Sequence, residues 1–246
     1  MRIGIIGAGN IGATLARKFS AAGHDVSLAN SRGPDSIRQV AEEIGVSPVS
    51  VQDAVRGVDA LVVSIPQGRI PDLPKGLFAG LPRHAVVVDT GNYYPRVRDE
   101  AIAPIEAGTP ESQWVADQVG RPVIKAFNSI LAQSLAEKGR EAGADNRIAL
   151  PVAGDDAEAK RIVIGLVNDA GFDGIDAGSL AESWRQQPGT PAYCTDLGAD
   201  ELRRALSAAE KDSAPRKRDL ALQRLGEAGS KITNEDMVRL NRSIFL

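Results

Sequence analysis

The sequence predicts an α/β protein: a doubly wound, mostly parallel sheet with a small helical C-terminal part. Three observations predict it. Short β-branched runs alternate with helical patterns over most of the 246 residues. The apolar cores of those runs are continuous, not alternating, which is the pattern of parallel strands covered on both faces. After Gly178 the strand-like runs stop and charged, helix-forming sequence takes over.

The elements follow in order. "RIGIIG" (2–7) is a buried-strand run, and "NIGATLARKFSAAG" (10–23) has helical periodicity closed by Gly23. "DVSLAN" (25–30) is the second strand and "SIRQVAEEIG" (36–45) the second helix. "ALVVSIP" (60–66), "AVVVDT" (85–90) and "PVIKAFN" (122–128) are three more strands. "SILAQSLAEKG" (129–139) reads as helix, "RIALPVAG" (147–154) as strand, "DDAEAKRIVIGLVNDAG" (155–171) as helix and "FDGIDAG" (172–178) as a last strand. Such alternation implies right-handed crossovers. Segment 179–198 holds Trp184, Tyr193, Pro188 and Pro191 and no strand pattern. Residues 199–229 are helical and charged, broken at Pro215, and a final helix begins at Asn234 as N-cap. The expected division is therefore 1–178 and 179–246.

Composition narrows the class. Apolar residues make up 43%, charged residues 25%, and the net charge is −3. A nucleic-acid binder usually carries a basic excess, which is missing here. One cysteine, Cys194, excludes an intrachain disulfide. Two isolated histidines, His24 and His84, make a poor start for a zinc site, so no metal is expected. No apolar run of about 18 residues is present to span a membrane. The chain runs from Met1 directly into a strand pattern, without a secretory signal, so the expected location is cytoplasmic.

Gly7, Gly9 and Gly12 form G-A-G-N-I-G between the first strand and the first helix. The first glycine permits the tight turn, the second lets a pyrophosphate approach the backbone, and the third lets helix and strand pack closely. The helix N-terminus adds free N–H groups and partial positive charge. This is the dinucleotide cradle of a Rossmann-type sheet. At the end of the second strand, NAD-binding chains place an acid for the ribose hydroxyls. This chain places Asn30, Ser31 and Arg32 there, a neutral amide, a hydroxyl and a guanidinium suited to a 2′-phosphate. NADP(H) is the expected cofactor, with Gly33 and Pro34 shaping the loop and Arg38 a second cation.

In open α/β sheets ligands lie beyond the carboxyl ends of the strands. Ser64, Ile65 and Pro66 are expected to border the ribose and pyrophosphate, and Thr90, Gly91, Asn92 and Tyr93 the nicotinamide side. Asn128 and Ser129, where strand meets helix, are the candidate catalytic pair, placed to bind the carboxamide or a developing charge. Asn128 as a simple helix cap is the alternative. No Ser–Tyr–x–x–x–Lys or His–carboxylate arrangement is present, which suits hydride transfer between bound cofactors, a reaction governed by proximity and orientation.

At these residues the chain resembles the NADP-dependent reductase family typified by NADP:deazaflavin (coenzyme F-420) oxidoreductase. The resemblance rests on "IGIIGAGNIG", "NSRGP", "VIKAFNSI", "LPVAGDDAEAKRIV" and "IDAGSLAES", in order across residues 3–183, about three quarters of the chain. Membrane-anchored ferric reductases have a related domain. The resemblance implies that the first domain binds NADP and the C-terminal region helps form an acceptor niche. It also implies Ser31 and Arg32 at the 2′-phosphate, Ala8, Asn10 and Ile11 along the pyrophosphate turn, and Asn128 and Ser129 near the nicotinamide. Segment 184–198 and the charged helices after it depart from the deazaflavin enzyme, which is shorter at its C-terminus.

The leading expectation is an NADP(H)-dependent oxidoreductase with a deazaflavin as second substrate, and a homodimer. Reduction of a small carbonyl, imine or quinone stays open, as does a non-catalytic NADP sensor. Trp184 and Tyr193 either hold a planar acceptor or plug the junction between the two regions.

Overall fold

A computed structural model describes residues 1–229 and 232–246. Six parallel strands form the main sheet in the order β3-β2-β1-β4-β5-β6. They are β1 (Arg2–Ile6), β2 (Asp25–Ala29), β3 (Ser47–Pro48), β4 (Ala60–Val63), β5 (Val86–Asp89) and β6 (Ile124–Lys125). Strand order reverses between β1 and β4, so the topological switch point of a Rossmann sheet lies at their carboxyl ends. Five helices accompany these strands: α1 (Asn10–Ala21), α2 (Arg38–Ile44), α3 (Ala103–Glu106), α4 (Glu111–Val119) and α5 (Ala132–Glu137).

The apolar strand runs divide between two cores. Ile3, Ile5, Ala60, Val62, Val86 and Val88 pack with Leu15, Phe19, Phe127 and Leu135 on one face. Ile6, Leu61, Val63 and Val87 pack with Phe78, Trp114 and Val115 on the other. Alternate residues of each strand enter opposite layers, so a strand covered on both sides has to be apolar throughout.

Several elements differ from expectation. The strand predicted at 122–128 ends after Lys125, because Phe127 takes a positive φ of 60° and turns the chain out of the sheet. The helix predicted from Ser129 starts at Ala132, with Leu131 extended at its N-cap position. Between β4 and β5, a stretch to which the sequence reading assigns no element, lie two short 3₁₀ turns, Gln67–Asp72 and Leu77–Gly80, in a segment punctuated by Pro66, Pro71, Pro74 and Pro82.

The largest departure concerns the last two strands. β7 (Ala149–Val152) and β8 (Asp173–Asp176), linked by α6 (Ala157–Asp169), pair parallel to each other as a separate two-stranded sheet. They meet β6 through one antiparallel bridge, in which Lys125 and Ala153 exchange N–H···O bonds of 2.8 and 3.0 Å.

Segment 179–198 contains a 3₁₀ helix, Leu180–Gln186, and then a buried strap. α7 (Ala199–Ser207) packs on β7 through Leu202, Ala205 and Leu206. α8 (Ala214–Ala228) starts with Pro215 in its first turn and packs on α9 (Asn234–Phe245). Thr233, not Asn234, caps α9. Its hydroxyl accepts from Asp236 N at 3.1 Å, while Asn234 is buried and donates to Ser134 Oγ at 2.9 Å. Among the described residues no helix is long and apolar enough to cross a membrane.

Candidate active site

The three glycines of the first turn do different work. Gly7 has φ 117°, and a Cβ there would lie 2.0 Å from the Ser64 carbonyl oxygen. A Cβ on Gly12 would lie 1.8 Å from the Gly7 carbonyl oxygen, so the helix seats on the strand only with glycine. A Cβ on Gly9 would meet nothing within 4 Å, leaving open space at the start of α1. No side chain caps α1, so its first amides are left for a ligand. An anion at that point meets unpaired N–H groups and the positive end of the helix dipole.

A cleft of about 690 Å³ opens there, at the switch point. Gly7, Ala8 and Gly9 form its floor, Asn30, Ser31 and Arg32 one wall, and Ser64, Ile65 and Pro66 another. Asn10 and Ile11 open α1 beside it, and Gly12 is buried beneath. Asn30 organises its own loop: its Oδ1 accepts from Arg32 N at 3.0 Å, and its Nδ2 donates to Ser36 Oγ at 2.9 Å. Arg38 is not a second free cation, because it pairs with Asp35. Among the described residues no ion pair engages the exposed Arg32 guanidinium. A dinucleotide fits this cradle on three counts: open space at Gly9, uncapped amides, and an unpaired guanidinium just after β2.

The cleft also contains Val51, Arg69, Asp72 and Leu73, which the sequence pattern did not single out. Arg69 pairs with Asp72 at 2.9 Å on the 3₁₀ turn after β4. The available signal was positional, a cation in the loop at the switch point.

The expected nicotinamide side is arranged otherwise. Thr90 is buried, its hydroxyl donating to Val63 O at 3.3 Å. Asn128 is 2% exposed and its side chain is consumed internally. Its Nδ2 donates to Asn92 Oδ1 at 3.0 Å and to Gln186 O at 2.7 Å, and its Oδ1 accepts from Gln186 Nε2 at 3.0 Å. Asn92 Nδ2 in turn donates to Asn128 O at 2.9 Å. Asn128 therefore neither caps α5 nor offers a free amide; it clasps loop 90–92 to the 3₁₀ helix at 180–186. Ser129 is buried, its hydroxyl without a partner among the described residues, and its carbonyl accepts from Cys194 N at 2.9 Å. Neither residue stands at a helix N-terminus, so the expected stabilisation of a developing charge there is corrected.

Beneath the same loop lies a buried charge cluster. Lys125 Nζ, fully buried, donates to Gly91 O at 3.0 Å and lies 3.5 Å from Glu111 Oε2 and 3.8 Å from Asp89 Oδ2. Asp89 is held as acceptor by Ser112 Oγ at 2.6 Å and Gly91 N at 2.9 Å. Burial pushes the Glu111 carboxyl up to about 7, against the pull of Lys125. Trp184 and Tyr193 differ in setting: Arg185 sits over the Trp184 ring at 4.5 Å, whereas Tyr193 is buried with its hydroxyl against that of Tyr94.

The parallel sheet and the switch-point cleft, with Ser31 and Arg32 along its wall, fit the class to which the chain belongs, the NADP-dependent oxidoreductases. The chain belongs to the family described as NADP oxidoreductase, coenzyme F420-dependent, whose model matches residues 2–93. It is 43% identical over 102 residues to protein YjhV of Escherichia coli (strain K12), across 42% of this chain and 74% of that one. The crystal structure of hypothetical protein SMa0349 from Sinorhizobium meliloti is 31% identical, with TM-score 0.67, covering 81% of this chain and 96% of that one. A structure assigned as an F420-dependent NADP-reductase, from Arthrobacter sp. FB24, shares the fold with TM-score 0.57 at 23% identity, over 73% and 86% of the two chains.

Proposed function

We propose that the enzyme binds NADPH across the switch point and reduces a planar acceptor, a deazaflavin of the F-420 type. NADPH, when bound, supplies the hydride. The chain's residues bind and orient: the amides of Gly9 to Gly12 on the pyrophosphate, Ser31 and Arg32 on the 2′-phosphate, Ser64 to Pro66 along the ribose. The acceptor lies under residues 179–246, beyond the cleft formed by residues 1–178. The observation that carries this reading is the unpaired Arg32 guanidinium on the cleft wall, in the place where a carboxylate would select NAD. α8 buries only Ala214 and Ala221 and leaves Leu220 40% exposed, which supports a homodimer through this helix. A cytoplasmic location suits a soluble NADPH pool.

Arg32→Ala tests the cofactor assignment. NADPH binding by calorimetry should weaken by about 1.5–3 kcal/mol, the range for a hydrogen bond to a charged group, with NADH little changed. Equal losses for both would remove Arg32 from the 2′-phosphate. NADPH oxidation against deazaflavin, flavin, quinone and carbonyl acceptors tests the acceptor.

A further inference from the structure

Asp72 is an unexpected occupant of an anion-binding cleft. It is the one carboxylate among the described lining residues, on a wall shared with the cations Arg32 and Arg69. A carboxylate beside a polyphosphate ligand lowers affinity unless it meets a hydrogen-bond donor. Asp72 is not spent on the core. Its side chain is 62% exposed, and it pairs with Arg69, three residues back on the same 3₁₀ turn, at 2.9 Å. The Arg69 side chain is 72% exposed, and an exposed pair of this kind adds little stability. Val51 and Leu73 complete this part of the wall, partly buried against the core on one side and open to the cleft on the other. Phosphates take the amides of the glycine turn and the Ser31–Arg32 loop. What is left of an adenosine is its ring, and what is left of the wall is two apolar side chains and the Arg69–Asp72 pair.

We propose that this pair reads the adenine ring of the dinucleotide, Asp72 accepting from the exocyclic amine and Arg69 donating to the neighbouring ring nitrogen N7, with Val51 and Leu73 against the ring face. This role rests on the NADPH reading of the cleft. One edge of adenine sets an amine donor beside the N7 acceptor. The pair sets an acceptor beside a donor, since a carboxylate only accepts and a guanidinium only donates. A carboxylate has about four lone-pair sites, so Asp72 keeps Arg69 while it takes the amine. Arg69 in turn offsets the Asp72 charge toward the phosphates. A hypoxanthine or guanine ring sets an oxygen beside N7, two acceptors together, and turns that oxygen to the carboxylate. The ribose hydroxyl is the other donor on this half of the ligand, and the test separates it from the amine.

Calorimetry on the full chain compares NADPH with its deaminated analogue, in which hypoxanthine replaces adenine. The wild type should bind NADPH at least about tenfold more tightly. Asp72→Ala should bring the two within about twofold of each other, mostly by weakening NADPH. Asp72→Asn should do the same, because its amide can turn either its oxygen to the amine or its NH₂ to the oxo group. Arg69→Ala should weaken both ligands, since N7 is common to the two rings; unchanged binding of both takes Arg69 off the ring. Asp72 is exposed, so its variants should melt near wild type by circular dichroism. A preference for NADPH that survives Asp72→Ala overturns the role, and equal losses for both ligands in that variant assign Asp72 to the ribose hydroxyl instead. Tight wild-type binding of both dinucleotides without preference sinks this role and leaves the cofactor reading standing. Binding of neither sinks the cofactor reading and this role with it.

Discussion

A Cβ at Gly12 collides with the Gly7 carbonyl, while one at Gly9 points into open space. The two substitutions should therefore fail differently. Gly12→Ala should lower stability by about 1–3 kcal/mol, the cost of overpacking, seen in a circular dichroism melt. Gly9→Val should melt near wild type yet lose dinucleotide binding in calorimetry; retained tight binding would move the cradle elsewhere. Glu111 gives a third prediction. Its carboxyl is raised from the ordinary 4.5 to about 7, so between these values the folded state holds a proton that the unfolded chain releases. Its stabilising contribution is complete below about 4.5 and is lost as pH rises through about 7. Glu111→Gln should flatten that portion of the Tm-against-pH curve, and an unchanged slope would assign it to other groups. The position of the glycines and of Ser31 and Arg32 at the cleft was legible because it is local to a strand end. Asn128 was not: its amide is taken by Gln186, 58 residues away, and nothing around Asn128 in sequence announces that partner.

At the level of elements, β4 and β5 were readable from unbroken apolar runs, since burial on both faces leaves no other composition, and β1 and β2 from shorter apolar runs beside the glycine turn. β3 was not. It is two residues long and contains Pro48, which reads as a breaker but is tolerated at the sheet's outer edge. The end of β6 was set by the backbone of Phe127, a conformation that its side chain does not advertise. The β7–α6–β8 unit depends on Arg147, 6% exposed, which donates to Asp173 Oδ1 at 2.5 Å, Asn168 Oδ1 at 3.1 Å and three backbone carbonyls. Arg147→Leu should cost about 3 kcal/mol, the lower end for breaking a buried pair, because Asp173 keeps access to water. A urea melt checks this, and a loss under about 1 kcal/mol would show the unit held by its apolar contacts alone.

Across the whole molecule one buried amide ties the two regions at three points. Gln186 Nε2 reaches Lys125 O at 3.4 Å, Asn128 Oδ1 at 3.0 Å and Pro151 O at 3.2 Å, joining β6, the following loop and β7 to the segment after Gly178. Unfolding should accordingly be a single transition, with far-ultraviolet circular dichroism and tryptophan fluorescence coinciding; separated midpoints would show independent units. The sequence could not foretell this seam, because strand runs reveal burial but not direction, and β7 meets β6 antiparallel. That reversal has a consequence for solubility. β6 is the outermost strand of the main sheet, and a bare outer strand is a template for pairing with another chain. Ala153 occupies the outward N–H and C=O of Lys125 and so shields that edge. A chain ended at residue 146 would uncover it and should gather into thioflavin-binding aggregates under conditions in which the 246-residue chain is expected to stay dispersed.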